Sequence, residues 1–118
     1  MNKGLLIKEP WISYILQQQK TWEIRRSHSH IRGTVGLIKS GSGLILGSAQ
    51  LVDSFPLTEI LYTLNIHKHR IEHLSFDELP YKNPHVWVFD KATIFDNPIP
   101  YTHKKGAVIW VNLDEKTQ

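Results

Sequence analysis

With 118 residues, 41% of them hydrophobic and 21% charged, the chain has the size and balance of one globular domain with a single core, spanning residues 1–118. Its formal charge of +3, from 14 Lys and Arg against 11 acids, is too modest to name a partner by itself. The absence of cysteine excludes disulfides and thiolate metal centres. The opening run Gly4-Leu5-Leu6-Ile7 is too short for a signal peptide or a membrane helix, so a cytoplasmic location is expected.

Gly4 to Ile7 reads as a first strand. Pro10 suits the first turn of a helix, and Trp11, Ile12, Ile15 and Leu16 then recur at helical spacing, predicting two to three turns up to Gln19. Trp11 belongs to that apolar stripe. Its position at the helix start would also let it stack on a base in a neighbouring pocket.

Thr21 to Arg26 has strand character. Alternation places Thr21, Glu23 and Arg25 on one face and Trp22 and Ile24 on the other. Lys20 stands at the mouth, just before the alternation begins. An ammonium, a carboxylate, a guanidinium and a hydroxyl within six residues make either a small site or an ordinary half-solvated strand with a weak surface ion pair.

Ser27 to Gly33 has no apolar period and reads as a mobile basic loop carrying His28, His30 and Arg32. Thr34 to Lys39 is a further strand, and Ser40-Gly41-Ser42-Gly43 a turn. A plain hairpin accounts for that turn. Its backbone N–H groups, with Lys39 and Ser40 beside them, would alternatively cradle a phosphate. It lacks the Lys-Ser/Thr ending of a P-loop, so neither nucleotide hydrolysis nor any cofactor is read from it.

Leu44 to Val52 is a long strand, with Gly47 marking a bulge or sharp coil. Leu57, Ile60, Leu61 and Leu64 fit one helical face ending near Asn65. Further helical turns would carry His67, Lys68, His69 and Arg70 on their outer side. Ser75 to Glu78 resembles a capping box. His85 to Phe89 alternates as a strand, Asp90-Lys91 reads as a tight turn, and Ala92 to Phe95 as another strand. Pro98 and Pro100 confine the segment after Phe95 to an edge or bend, and Ala107 to Leu113 is the last strand before a frayed tail, 114–118. About six short strands with two or three short helices predict an α+β fold, a small mixed β-barrel with helices at its openings.

The basic residues gather in three runs: Arg25 to Arg32, His67 to Arg70, and His103 to Lys105. Brought together they would attract phosphate, and scattered they only solubilise. His28/His30 and His67/His69 have the spacing of strand-borne metal ligands. They lack carboxylate companions and lie in cationic surroundings, so no metal is expected.

The order Glu9-Pro10-Trp11, then Lys20-x-x-Glu23-x-Arg25, then Arg32-Gly33 before a strand, then Leu46-Gly47 running into Leu51-Val52-Asp53, resembles the ASCH domain family of the PUA-like superfamily of small β-barrels. The resemblance covers Leu5 to Leu113. The family signature is Gly-x-Lys-x-x-Glu-x-Arg after the first helix, and Gln18 here occupies the glycine position. The resemblance implies a PUA-like barrel and an RNA-directed role, with RNA, a nucleoside or a nucleotide as partner. Some members resemble ribonucleases, and one small bacterial group removes acetyl from N4-acetylcytidine with a Lys, a nucleophilic Thr three residues on, and a downstream Glu. Lys20 matches that lysine, but Glu23 stands where the threonine would be and Thr21 does not. The acid aligns near Asn65, with Glu72 the nearest candidate, so that mechanism does not carry over intact.

Three functions are compatible with these residues. The first is an RNA- or nucleoside-binding module around Lys20, Glu23 and Arg25. Arg25 and Arg32 would hold phosphate there, and Trp11 or a tyrosine would stack on a base. The second is a hydrolase on RNA or a modified nucleoside, with Lys20 stabilising an oxyanion and Glu23 as general base. The third is a protein-interaction domain.

Overall fold

The computed structural model describes residues 1–113, so the fraying expected of 114–118 lies outside the described residues. In chain order the elements are β1 (Lys3–Ile7), α1 (Trp11–Leu16), β2 (Trp22–Arg25), β3 (Gly33–Lys39), β4 (Leu44–Pro56), α2 (Glu59–Leu64), α3 (Ile66–His69), β5 (His85–Pro100) and β6 (Trp110–Asn112). A single 3-10 turn, Phe76–Glu78, precedes β5 and is held by the capping box that Ser75 and Glu78 announce.

The six strands form one mixed sheet in the order β2-β5-β4-β3-β1-β6. Among the described residues only β1 and β3 run parallel. The sheet curls into a half-barrel, bringing strands that are not neighbours in it face to face. Trp87 of β5 stacks on Trp110 of β6 with ring centroids 5.6 Å apart. Arg25 of β2 donates to the Leu6 carbonyl of β1 at 2.9 Å. Alternation divides the buried side chains as the pleat requires. Leu5, Ile7, Val35, Leu37, Ala49 and Leu51 pack with Ile12, Ile15 and Leu16 of α1 on the concave side. Leu6, Ile38 and Ile45 join Val111 and Leu113 in a separate cluster.

Gly47 is required by close contact. A Cβ there would stand 2.1 Å from the Thr93 carbonyl oxygen and 2.5 Å from Leu16 Cδ2, and the β4–β5 register shifts at this point. The glycine therefore lets α1 and β5 close on β4.

Four expectations are corrected. Asp90-Lys91 is not a hairpin turn: β5 runs unbroken through it, and the left-handed Lys91 (φ +52°) sits where the ladder with β4 slips. The helix α2 buries Tyr62, while Ile60 and Leu64 are 70% and 69% exposed. The aromatic ring is the larger payload, and Tyr62 also satisfies its hydroxyl by donating to the Leu74 carbonyl at 2.6 Å. The basic run 67–70 does not lie wholly outside, because His69 is fully buried. The loop 27–33 is pinned rather than mobile, since Trp87 Nε1 donates to the Ser27 carbonyl at 2.8 Å and Ser29 N donates to Ser54 Oγ at 3.1 Å.

Candidate functional site

The turn from α1 into β2 places the key side chains. Gln18 takes a left-handed φ of +60° and donates from Nε2 to the Ala92 carbonyl at 3.1 Å. A residue other than glycine thus adopts the conformation that glycine enters most easily, held by a cross-chain bond. Thr21 then anchors the strand entry, donating its N–H to the Lys68 carbonyl at 3.0 Å and accepting from Phe89 N at 2.8 Å.

Lys20, expected at the mouth, forms the floor and is 2% exposed. Its Nζ donates to the His69 carbonyl, lies 3.5 Å from Glu23 Oε1 and sits 4.8 Å from the centre of the Trp11 ring. Burial lowers the Lys20 pKa from its ordinary value. The Glu23 carboxylate opposes that shift, and the Arg25 and Arg70 guanidiniums add to it.

Glu23 is buried as well, and its second oxygen is held by both Nε and Nη2 of Arg25 at 3.0 and 2.9 Å. Arg25 in turn lies over the Trp87 ring, 5.6 Å from its centre. One carboxylate oxygen is thus committed to the guanidinium, while the other faces the ammonium. The half-solvated strand with a weak surface pair is not what forms.

Lys20 and Glu23 open on a cleft of about 230 Å³ walled by Trp11, His73, Leu74, Leu79 and Tyr81. Trp11 stacks on His73 with an interplanar angle of 17°. The wall is thus mostly aromatic and apolar, and the floor offers one strong donor beside one strong acceptor. Arg25 holds the floor from behind and is not part of the lining.

The remaining candidates lie elsewhere. Thr21 lines a smaller hollow of about 140 Å³ with Gln18, Asp90 and Lys91, on the other side of Lys20. Arg32 folds back on the Ser29 and Ile31 carbonyls at 2.7 and 2.8 Å. Lys39 approaches Glu9 at 3.9 Å, and Ser40 donates its N–H to the Ile7 carbonyl at 3.0 Å. Glu72 pairs with Arg70 at 3.2 Å and lines no part of the cleft.

Sequence patterns do not single out His73 or Tyr81, and they offer His69 only as part of a basic run and of a metal-spaced pair. His69 presents its carbonyl to Lys20, and its ring is fixed in one tautomer: Nε2–H donates to the Tyr62 carbonyl at 2.8 Å, and Nδ1 accepts from Ile71 N at 3.0 Å. A histidine inside a basic run gives no signal that one ring turns inward.

Comparison of the sequence matches it to no family model and to no curated protein. Solved structures do match. The ASCH protein of Zymomonas mobilis superposes with a TM-score of 0.70 at 11% identity, covering 98% of this chain and 89% of the other. Two single-residue variants of the same protein, serine to alanine and tyrosine to phenylalanine, each give 0.73 at 11% identity over 98% of this chain and 89% and 91% of theirs. This chain therefore shares the fold of the Zymomonas mobilis ASCH protein.

Proposed function

We propose that the cleft receives one unpaired base of an RNA strand, or the base of a free nucleoside. The observation that carries this reading is the buried Lys20–Glu23 pair opening into an aromatic-walled hollow. Withdrawing an ammonium and a carboxylate from water is costly, and a well-packed apolar pair would serve stability as well or better. Here both charges are kept, braced from behind by His69 and Arg25, and turned toward space. Trp11, His73 and Tyr81 supply planar surface for a base, while Glu23 accepts and Lys20 donates along its polar edge. The volume lies just under the ~300–1,000 Å³ of common small-molecule sites, which suits a single base better than a larger ligand. Calorimetric titration of the four nucleosides and of single-stranded RNA tests it: saturable binding abolished by Glu23→Gln supports the reading, and none by the folded wild type refutes it.

A hydrolase is the second reading, favoured by a carboxylate and an ammonium 3.5 Å apart at the floor of the cleft. Glu23 would take a proton from water, and Lys20 would stabilise the developing oxyanion. Turnover of RNA or an acylated nucleoside by wild type, lost in Lys20→Met, separates this reading from binding alone.

A further inference from the structure

Beyond the cleft, the loop after β2 gathers three imidazoles. His28 and His30 lie with ring centroids 4.7 Å apart, and His28 and His85 with 6.1 Å. The loop is built to hold them: Ser29 is 3% exposed, Ser29 Oγ accepts from Ile31 N at 3.1 Å, and Arg32 ties the Ser29 and Ile31 carbonyls together. His85 Nδ1 donates to the Asn83 carbonyl at 2.8 Å, which leaves Nε2 as the nitrogen that can face a ligand. We propose that His28, His30 and His85, flanked by Arg32, form a phosphodiester subsite for the RNA strand whose base enters the cleft, one that tightens as the pH falls.

The subsite deepens the base-binding reading and rests on it. Its physical basis is the β2–β5 ladder, which carries both Glu23 and His85. In the β2–β5 ladder Glu23 lies opposite Trp87 and Arg25 opposite His85, and directly opposed residues share a face. Arg25 and His85 therefore stand beyond Glu23 on that face, about 7 Å further along the strand. The Arg25 guanidinium turns back onto Glu23 and Leu6, so the imidazole cluster is the cationic group presented beyond that end of the ladder.

The cluster suits an anion better than a cation. Among the described residues no three His, Asp or Glu side chains converge as metal ligands. The groups facing His28 are His30 and Arg32 from the loop, His85 from β5 and Asp53 from β4. Shielding from water, then His30, Arg32 and His85, lower the His28 pKa, and Asp53 alone opposes them. Without an anion, protonation of the ring is resisted. A phosphate placed among the rings reverses that balance, so binding takes up protons.

The test follows a short single-stranded oligoribonucleotide by fluorescence anisotropy, and the imidazole resonances by NMR, at about pH 7.5 and about pH 5.5. Sulfate, a dianion at both values, serves as a second probe. Affinity for the strand is expected to rise about tenfold at the lower pH, with the His28, His30 and His85 resonances moving on addition of either probe. The exposed double variant His28→Gln/His30→Gln should lose most of that rise, while His103→Gln keeps it. Equal affinity at the two pH values, a rise that survives the double variant, or resonances that respond to zinc and not to sulfate would each overturn the proposal. Free nucleoside is titrated in parallel. A nucleoside that fails to perturb the Trp11 indole defeats the cleft reading by itself, because the imidazole response is read separately.

Discussion

Arg25 holds Glu23 and Leu6 at once: Nη2 lies 2.9 Å from Glu23 Oε2 and donates to the Leu6 carbonyl at 2.9 Å. Because β2 and β1 are not neighbours in the sheet, this side chain bridges the open side of the half-barrel alongside the Trp87–Trp110 stack and orients the carboxylate of the cleft. Fold and site thus share a clamp. Arg25→Met should cost about 3 kcal/mol of stability, since it takes the guanidinium from a buried carboxylate, leaving only Lys20 beside it, and removes the donor to the Leu6 carbonyl. Arg25→Lys should recover only part of this, because an ammonium lacks the planar fork. Urea unfolding midpoints decide it, and an unchanged midpoint in Arg25→Met would show the clamp to be idle.

Lys20→Met separates a site residue from a structural one. The substitution keeps length and apolar bulk, removes the cost of burying an ammonium, and leaves Glu23 with Arg25. Stability should change by less than about 1.5 kcal/mol, while nucleoside affinity falls at least about tenfold. The sign of the pH effect can also be read. With its pKa lowered by burial, Lys20 contributes stability that is fully present above its unfolded value near 10.5 and lost as the pH falls through its folded value. Lys20→Met should lack that alkaline gain. Unfolding curves across the alkaline range, paired with titrations, check both statements.

His69 predicts an acid limit. Burial lowers its pKa below 6.5, with Lys20 and His67 adding to the shift against the Tyr62 hydrogen bond. A depressed pKa means stability that is present above the unfolded value and lost as the pH falls through the folded one. The unfolding free energy should therefore decline below about pH 6.5, with a slope from this residue of at most about 1.4 kcal/mol per pH unit. His69→Gln should be less stable at neutral pH and flatter in that window. Unfolding midpoints at a series of pH values provide the measurement, and parallel curves for the two proteins would contradict it.

Gly47→Ala tests the packing that seats α1 on the sheet. The added methyl meets backbone oxygen and Leu16, neither of which can swing aside without moving a strand or a helix. A loss of about 3 kcal/mol is expected, at the upper end for overpacking. Thermal unfolding reads it directly, and an unshifted Tm would mean that β5 yields.

How much of the fold and site is legible in the sequence depends on the range of the forces involved. The strand cores, the Ser75–Glu78 cap and Gly47 are readable because pleat, cap and close approach are written in neighbouring residues. Tyr62 is missed because the apolar spacing of Leu57, Ile60, Leu61 and Leu64 points to a different helical face. Only tertiary contacts, with His69 stacked 4.2 Å from the Tyr62 ring, show which face turns inward. Asp90-Lys91 has turn composition, yet β4 continues alongside and carries β5 past it. Within the site, Lys20, Glu23 and Arg25 come from one short motif. Their burial is not written there, because the residues that cover them, Trp11, His69 and Tyr81, come from three distant segments.

If the Lys20–Glu23 cleft holds a base, Trp11, whose ring lies against Lys20, is its reporter. The Trp11 indole N–H resonance, assigned with a Trp11→Phe variant, can be followed as nucleosides and single-stranded RNA are added at low salt. A saturable shift of that resonance is expected, abolished in Lys20→Met and Glu23→Gln although both variants remain folded. A Trp11 signal that stays fixed at millimolar nucleoside and saturating RNA, in the folded wild-type protein, would contradict it.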